Sequence, residues 1–355
     1  MKSSIFSQEI GLFYFLPGIP VKNEKFINRC QFPVSMKIHI PNSAFLGNID
    51  HFLRSFETVQ PKKLEITANK KWISVHPVVL TMVGALGLTF ERDEIHCEKL
   101  EAISKHYLER MHLFKLLKIS SGIRLKAHEA AGRFIPLTQI QNSQELTECM
   151  KELIPLLHLE PHQAEPIRYV ISELVRNVLE HAQSPNGALL CAQYYAKSNV
   201  IRIGIADIGV GIKQTITRSH SAATDLDAIR LALMPGITGM TAKEGGTEFN
   251  AGAGLFFIRS IAKVNRNFLM IYSGKAMYKL LKSKGKKALE LQADPYRERY
   301  SAGEDYPLWQ GTVVGIDISL DATEQFSVLL DRIRETYIQT IRERKKEKYR
   351  QPRFI

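Results

Sequence analysis

Three polar side chains in residues 171–182, ISELVRNVLEHA, have types and spacing that could carry out chemistry. Glu173, Asn177 and His181 lie four residues apart, so an α-helix would place them on one face. A carboxylate, an amide and an imidazole in a row can contact water, a metal ion and a phosphate group. A surface helix without any site also shows a polar line beside its apolar stripe, so the remaining segments must distinguish the two interpretations.

An aspartate followed by alternating glycines provides a second candidate. Residues 200–207, VIRIGIAD, alternate as a β-strand does and lead into Asp207, Gly209 and Gly211. Glycines at a strand end allow another group to approach the backbone closely. The carboxylate could therefore accept a hydrogen bond from an amine such as the exocyclic group of adenine.

A third candidate is the segment 250–264, NAGAGLFFIRSIAKV. Gly252 and Gly254 precede apolar residues at helical spacing, which predicts a helix that starts at the glycines. Backbone N–H groups at a helix start, together with the positive end of the helix dipole, can bind phosphate. A close packing contact is the alternative reason for two glycines in this position.

Several elements must bring these segments together. A central helix is expected to open at Ala164, with Pro166 in its first turn, and residues 311–319, GTVVGIDIS, are expected to form a strand that carries Thr312. Residues 213–249 are rich in Ser, Thr, Gly and charge and contain one helical segment, which is typical of a lid.

Taken in this order, the segments resemble the ATP site of the GHKL superfamily, the shared ATPase fold of gyrase, heat-shock chaperone, histidine kinase and mismatch-repair proteins. ELVRNVLEH is similar to the N box of that family, DIGVG to its first glycine box and AGAGL to its second. Gly311-Thr312 matches a late GT that the family uses beside adenine. The resemblance covers residues 140 to 320.

The resemblance implies a role for each residue. Glu173 is expected to orient or deprotonate the attacking water or acceptor hydroxyl. Asn177 is expected to ligate Mg²⁺, whose other ligands would be phosphate oxygens and water. The other expected nucleotide contacts are His181, Gly252, Gly254 and the lid residue Lys243 at the phosphates, and Asp207, Gly209, Gly211 and Thr312 around adenine.

Two departures from the family pattern restrict the class of enzyme. Asn250 stands where many members have another glycine, which affects the expected closure of the lid. His128-Glu129 begin like a phosphoacceptor box, but the proline follows three positions late, so an orthodox histidine kinase is not expected. ELVRNVLEHA is closer to the N box of anti-sigma-factor kinases, which phosphorylate serine on a partner that often has a STAS fold.

The sequence predicts a domain order around this core. Residues 1–35 are expected to be an extension and residues 36–125 a small α/β, STAS-like regulatory domain with partly parallel strands, including a strand over 88–96. The other predicted parts are a linker over 126–139, a two-layer α/β sandwich of GHKL type over 140–322, and an amphipathic basic helix over 323–355. Residues 275–310, which hold several lysines, are expected to be a solvated excursion.

The bulk composition indicates the class of partner and the cellular compartment. The chain has 355 residues, a net charge of +12 and four cysteines without CxxC spacing. A positive charge favours polyanions as partners, and scattered cysteines indicate free thiols in a reducing cytoplasm. No run of about 18 apolar residues is present, so no membrane span is expected.

The leading hypothesis is a cytoplasmic protein that binds ATP and Mg²⁺ and either hydrolyses ATP or phosphorylates a partner protein. Closure of the lid would then report nucleotide state to a neighbouring domain or to a second copy in a homodimer. A second hypothesis is an ATP-gated binding or dimerisation module without chemistry. A third is a nucleic-acid-associated ATPase that uses the basic C-terminal helix.

Overall fold

The computed structural model describes residues 35–56, 62–97, 100–123, 133–241, 253–283, 290–321 and 325–350, and the fold is mixed α/β. The strands are β1 Ser35–Ile40, β2 Ser43–Ala44, β3 Lys63–Ala68, β4 Ser74–Val75, β5 Ile95–His96, β6 Phe134–Ile140, β7 Ala188–Tyr195, β8 Val200–Ala206, β9 Leu269–Gly274, β10 Ala276–Leu280, β11 Tyr300–Gly303 and β12 Trp309–Ser319. The helices are α1 Asp50–Leu53, α2 Pro77–Gly87, α3 Ala102–Arg110, α4 Leu113–Leu116, α5 Ser143–Glu148, α6 Pro161–Asn177, α7 Gly211–Ile216, α8 Asp225–Ala232, α9 Gly254–Val264 and α10 Phe326–Arg350.

A seven-stranded antiparallel sheet, in the order β11-β10-β9-β12-β8-β7-β6, organises the second half of the chain. The central strand β12 shows why both faces of the sheet need cover. Val314 and Ile316 point into one apolar core, whereas Val313 points into another. Side chains alternate along a strand, so apolar residues at successive positions make both faces apolar.

Helices α6, α7, α9 and α10 contribute to the first core, on the face of Val314. The helix α6 packs Ile167, Val170 and Leu174 into this core, because these residues recur at helical spacing along one side. Polar residues of α6 therefore lie on the remaining sides, and one of those sides borders the candidate site.

The described residues between 35 and 123, which we call the N-terminal segment, cover the opposite face of the sheet. Helix α2 contacts β7, β8 and β12, and ten of its eleven residues are buried, as expected for a helix that is apolar all round. Strands β1, β3 and β5 form a parallel sheet beside it, which agrees with the predicted parallel pairing. Residues of the N-terminal segment and of the large sheet share one apolar core, whereas the division into separate domains stays a prediction.

A buried polar group joins α2 to the sheet. The side chain of His76 caps α2 by accepting a hydrogen bond from the backbone N–H of Val78 through Nδ1, at 3.1 Å. Its Nε2 lies 3.2 Å from a carboxylate oxygen of Asp317 on β12. Because Nδ1 acts as acceptor, the proton of the neutral ring lies on Nε2, which is close to Asp317 without forming a hydrogen bond to a described residue. Burial lowers the pKa of His76, which favours this neutral form.

Several predicted elements differ in the structure. The linker predicted over 126–139 includes most of β6, which pairs with β7 in the large sheet. The lid predicted over 213–249 with one helical segment contains the end of α7 as well as α8. The strand expected over 88–96 is reduced to β5, because Glu91 and Glu94 bond each other's backbone N–H groups and form a short 3₁₀ turn there. The central helix begins at Pro161 rather than Ala164, since Glu160 and Gln163 form a capping box and Pro161 needs no donor at the first position. Pro166 consequently lies inside α6.

The excursion expected over 275–310 contains β10 and β11, which extend the sheet at one edge. The lysines of this segment predict solvated chain, but Lys279 is buried and pairs with Asp50 at 2.5 Å. A contact with a residue far away in sequence therefore permits a lysine inside the strand. The C-terminal helix agrees with its prediction, with Leu329 and Ile333 buried.

Candidate active site

The polar row lies on α6 and on the turn that follows it. Glu173 and Asn177 occupy the last two turns of α6, and residues Val178–Ala182 continue as a π-helical turn that carries His181. The row is therefore not a uniform α-helical line as the sequence predicted. A single π-helical turn at the end of an α-helix is uncommon, and such turns are frequent at functional sites.

A cavity of about 330 Å³ opens beside this row, between α6, the strand ends and the start of α9. Seven of the predicted site residues line it: Glu173, Asn177, His181, Asp207, Gly211, Gly254 and Thr312. Gly209 is not among the lining residues. Lys243 and Gly252 lie outside the described residues.

Three hydrogen bonds position Asp207. Its backbone N–H donates to the carbonyl of Thr312 at 2.9 Å, and its Oδ1 accepts from the backbone N–H of Gly209 at 2.7 Å. The indole Nε1–H of Trp309 donates to its carbonyl at 3.1 Å. The carboxyl is thus fixed at the end of β8, where strands β8 and β12 are paired.

The environment of Asp207 changes its acidity. The residue is only 2% exposed, and burial raises the pKa of its carboxyl to about 7, although the N–H groups of Gly209 and Thr312 act in the opposite direction. Removal from water disfavours the charged form, which is the dominant cause of the shift. The carboxyl can therefore gain or lose a proton near neutral pH.

Two glycines in this region are required by close contacts. A Cβ on Gly209 would collide with the carbonyl of Ala182, so this glycine lets the end of the π-helical turn pack against the aspartate turn. Gly311 has φ +100°, and a Cβ there would lie 2.7 Å from Oδ1 of Asp207. Gly209 therefore acts through packing beside the cavity, and not as part of its wall.

The N-terminus of α9 faces the polar row. Gly254 is the first residue of this helix, and a Cβ there would lie 2.8 Å from Oε2 of Glu173 and 3.7 Å from Nδ2 of Asn177. Any larger residue at this position would press against both side chains. The glycine therefore lets the positive end of the α9 dipole approach the carboxylate and the amide.

Glu173 is partly removed from water, and the pKa of its carboxyl is raised mainly for this reason. Arg176 acts against that shift, since its Nη2 lies 3.4 Å from Oε1 of Glu173, while the nearby Glu180 adds to it. Arg176 and Glu180 also line the cavity and were not predicted. Arg176 follows Glu173 by three residues, and Glu180 follows Asn177 by three. This helical spacing was the one signal in the sequence that could have placed them beside the polar row.

Two polar atoms at the cavity have no hydrogen-bond partner among the described residues. Nδ2 of Asn177 and Nδ1 of His181 are both buried and unsatisfied. Buried polar groups are nearly always hydrogen-bonded, so atoms of this kind beside a cavity are suited to meet a ligand or water.

The far wall of the cavity is apolar. Ile205, Ile271 and Val314 come from neighbouring strands of the sheet. Thr238 and Gly239, which lie in the predicted lid, also border the cavity. Contacts with the preceding residues position both carbonyl groups. His220 Nε2 lies 3.0 Å from the carbonyl of Thr238, and Ser219 donates to the carbonyl of Gly239 at 2.9 Å. A flat apolar group could lie against such a wall.

Within the described ranges, no group of three or more His, Cys, Asp or Glu side chains is arranged to hold a metal ion. Among the same residues, no helix has both the length and the apolar character needed to cross a bilayer.

The arrangement combines an apolar wall, an acidic hydrogen-bonding group and a polar end beside a helix N-terminus. Comparison of the chain with models of known families, with curated proteins and with solved structures found no match. The geometry of the cavity therefore carries the functional argument.

Proposed function

We propose that this chain binds ATP with Mg²⁺ in the cavity, in the manner of the GHKL family, and hydrolyses it or transfers its terminal phosphoryl group to a partner protein. One observation carries the proposal. Asn177 and Asp207, which lie on different segments of the chain, line the same cavity. The expected metal contact and the expected adenine contact can therefore meet one molecule.

The antiparallel sheet, with α6, α7, α9 and α10 on the face of Val314, supports a GHKL-type sandwich for residues 140–322, to which β6 adds one edge strand. In that interpretation the base would lie against Ile205, Ile271 and Val314, with its amine donating to Asp207. The amine needs an acceptor, which an oxygen of the buried carboxyl provides.

The donor set is also compatible with magnesium. Mg²⁺ binds oxygen ligands and usually keeps several waters and phosphate oxygens, so one protein ligand from Asn177 is sufficient. Asn177 lines the cavity and its Nδ2 has no hydrogen-bond partner among the described residues, so its amide would be available to present the oxygen to the ion. When bound, the ion would neutralise charge on the phosphate oxygens.

Glu173 is the residue suited to proton transfer. Its carboxyl has a raised pKa and lies against Gly254 at the expected phosphate end of the cavity. It would accept the proton of the attacking water or acceptor hydroxyl, a role that improves as the pKa of a base approaches neutrality. His181 would contact phosphate through Nδ1, which has no hydrogen-bond partner in the described part of the chain.

Phosphate release and nucleotide binding measured on the same samples test this proposal. The parent protein is expected to release phosphate from ATP only with Mg²⁺, and Glu173→Ala is expected to lower the rate by at least about 100-fold while ATP still binds. Glu165→Ala is the matched control, because Glu165 is an exposed residue of the same helix that does not line the cavity.

Equal turnover by the parent and by Glu173→Ala would remove Glu173 from the mechanism. Tight ATP binding by the parent without phosphate release or transfer would instead support the ATP-gated binding module. Failure of the parent to bind ATP would overturn the nucleotide proposal.

A further inference from the structure

The described lining of the cavity has little positive charge for a site that is proposed to hold a triphosphate. Among the described lining residues, Arg176 alone carries a permanent positive charge, whereas Glu173, Glu180 and Asp207 bring carboxyl groups. A triphosphate has several negative charges, so its affinity depends strongly on the side chains it meets. The position of Arg176 is therefore important.

In the structure Arg176 is engaged with the expected general base. Its Nη2 lies 3.4 Å from Oε1 of Glu173, three residues earlier on α6. The arginine side chain is 53% exposed, so the ion pair is largely solvated. Such a pair adds little net stability and can be exchanged for another anion at small cost.

The second oxygen of Glu173 occupies the place that favours an anion. Oε2 lies 2.8 Å from the position of a Cβ on Gly254, the first residue of the eleven-residue helix α9. In this structure the carboxylate therefore stands between Arg176 and the positive end of α9. A phosphate group entering this end of the cavity would meet Glu173 before it met the helix.

We propose, on the basis of the ATP-binding function above, that Arg176 distinguishes ATP from ADP, by leaving Glu173 and pairing with the terminal phosphate. A guanidinium group offers a planar fork that can bind two oxygens of one phosphate. The exchange also releases Oε1 of Glu173 from its ion pair. The same event would thus bind the terminal phosphate and free the base.

Calorimetric binding of ATP and ADP, each with Mg²⁺, tests the inference. Arg176→Gln is expected to weaken ATP binding by about tenfold or more and to change ADP binding by less than about twofold, because only ATP has the terminal phosphate. Arg168→Gln removes the same charge from the same helix, outside the cavity, and is expected to leave both affinities unchanged.

A double-mutant cycle separates exchange from a general charge effect. Glu173→Gln removes the competing carboxylate, so it is expected to strengthen ATP binding when Arg176 is present and much less in the Arg176→Gln background. A purely structural role for Arg176 would change the stability of the protein but would not produce this coupling.

The outcomes are distinguishable. If the parent binds ATP and Arg176→Gln keeps the same preference for ATP over ADP, or the cycle shows no coupling, the inference is wrong and the proposed function stands. If neither the parent nor the variants bind ATP, the proposed function and this inference are both wrong.

Discussion

Asp207 owes its chemical character to neighbours that lie far away in the sequence. Its type and its position at a strand end could be recognised in the sequence, and a contact with adenine was expected there. Its pKa could not be predicted, because the shift arises from burial beneath β12 and Trp309. The same holds for Glu173, whose burial depends on the approach of α9.

The raised pKa of Asp207 predicts a specific dependence of stability on pH. The carboxyl titrates near about 7 in the folded state and near about 4 when unfolded, so the folded state binds one more proton between these values. The resulting stabilisation is complete below about pH 4 and is lost as pH rises through about 7. The amide of Asp207→Asn imitates the protonated acid and should remove this dependence.

Urea unfolding of the parent and of Asp207→Asn at pH 5 and pH 8 measures the effect. From pH 5 to pH 8 the free energy of unfolding of the parent should fall relative to that of the variant by about 3 kcal/mol, because the parent loses about 1.4 kcal/mol per pH unit from pH 5 to about 7. All other titrating groups are shared, so they cancel in the comparison. A constant difference between the two proteins across this range would contradict the prediction.

At the scale of elements, the contact between α2 and β8 shows how one residue allows two layers to meet. A Cβ on Gly204 would collide with the backbone of Pro77 and Val78 at the start of α2. The close approach buries α2 against the sheet and places the cap residue His76 near Asp317. Glycine is needed at position 204 because there is no room for a Cβ atom between β8 and the start of α2.

Gly204→Ala is therefore expected to lower the free energy of unfolding by about 1–3 kcal/mol or more, through overpacking between α2 and β8. Gly47→Ala is the matched control, because a Cβ at this exposed glycine would make only an ordinary contact with Phe268, at 3.5 Å. Chemical denaturation of both variants gives the measurement. Equal midpoints for Gly204→Ala and the parent would show that the layers can separate without cost.

Elements whose signal is local agreed well with the structure. The helix α9 and the strand β12 follow from apolar spacing within the segment itself, and both lie where they were expected. The strand β10 was missed, since Lys279 is stabilised by Asp50 at the other end of the chain. The turn after α6 was expected to be α-helical, and the close contact of Gly209 with Ala182 accompanies its π-helical form.

At the scale of the whole molecule, the N-terminal segment and the large sheet share an apolar core. Phe56 lies against Trp309 with ring centroids 6.2 Å apart, and Leu137 and Val313 of the sheet lie in the same buried cluster as α2. A shared core predicts that neither part unfolds alone, because separation would expose apolar surface on both sides.

The two tryptophans allow this to be measured, since Trp72 belongs to the N-terminal segment and Trp309 to the sheet. Trp72→Phe and Trp309→Phe each leave a single reporter, and both are expected to show fluorescence transitions that coincide with loss of circular dichroism. The exposed Trp72 should cost little to replace, so its variant is the control for stability. Two separate transitions in one variant would instead support independently folding domains.

The sequence by itself determined the mixed α/β class, the helix of the polar row and the existence of three candidate segments, because these depend on residue types and spacing within short stretches. Only the tertiary structure decided that Asn177 and Asp207 line one cavity, that Arg176 pairs with Glu173 and that the N-terminal segment covers the sheet. These features arise from burial and from contacts between residues distant along the chain. Both depend on how the layers pack, which no local pattern contains.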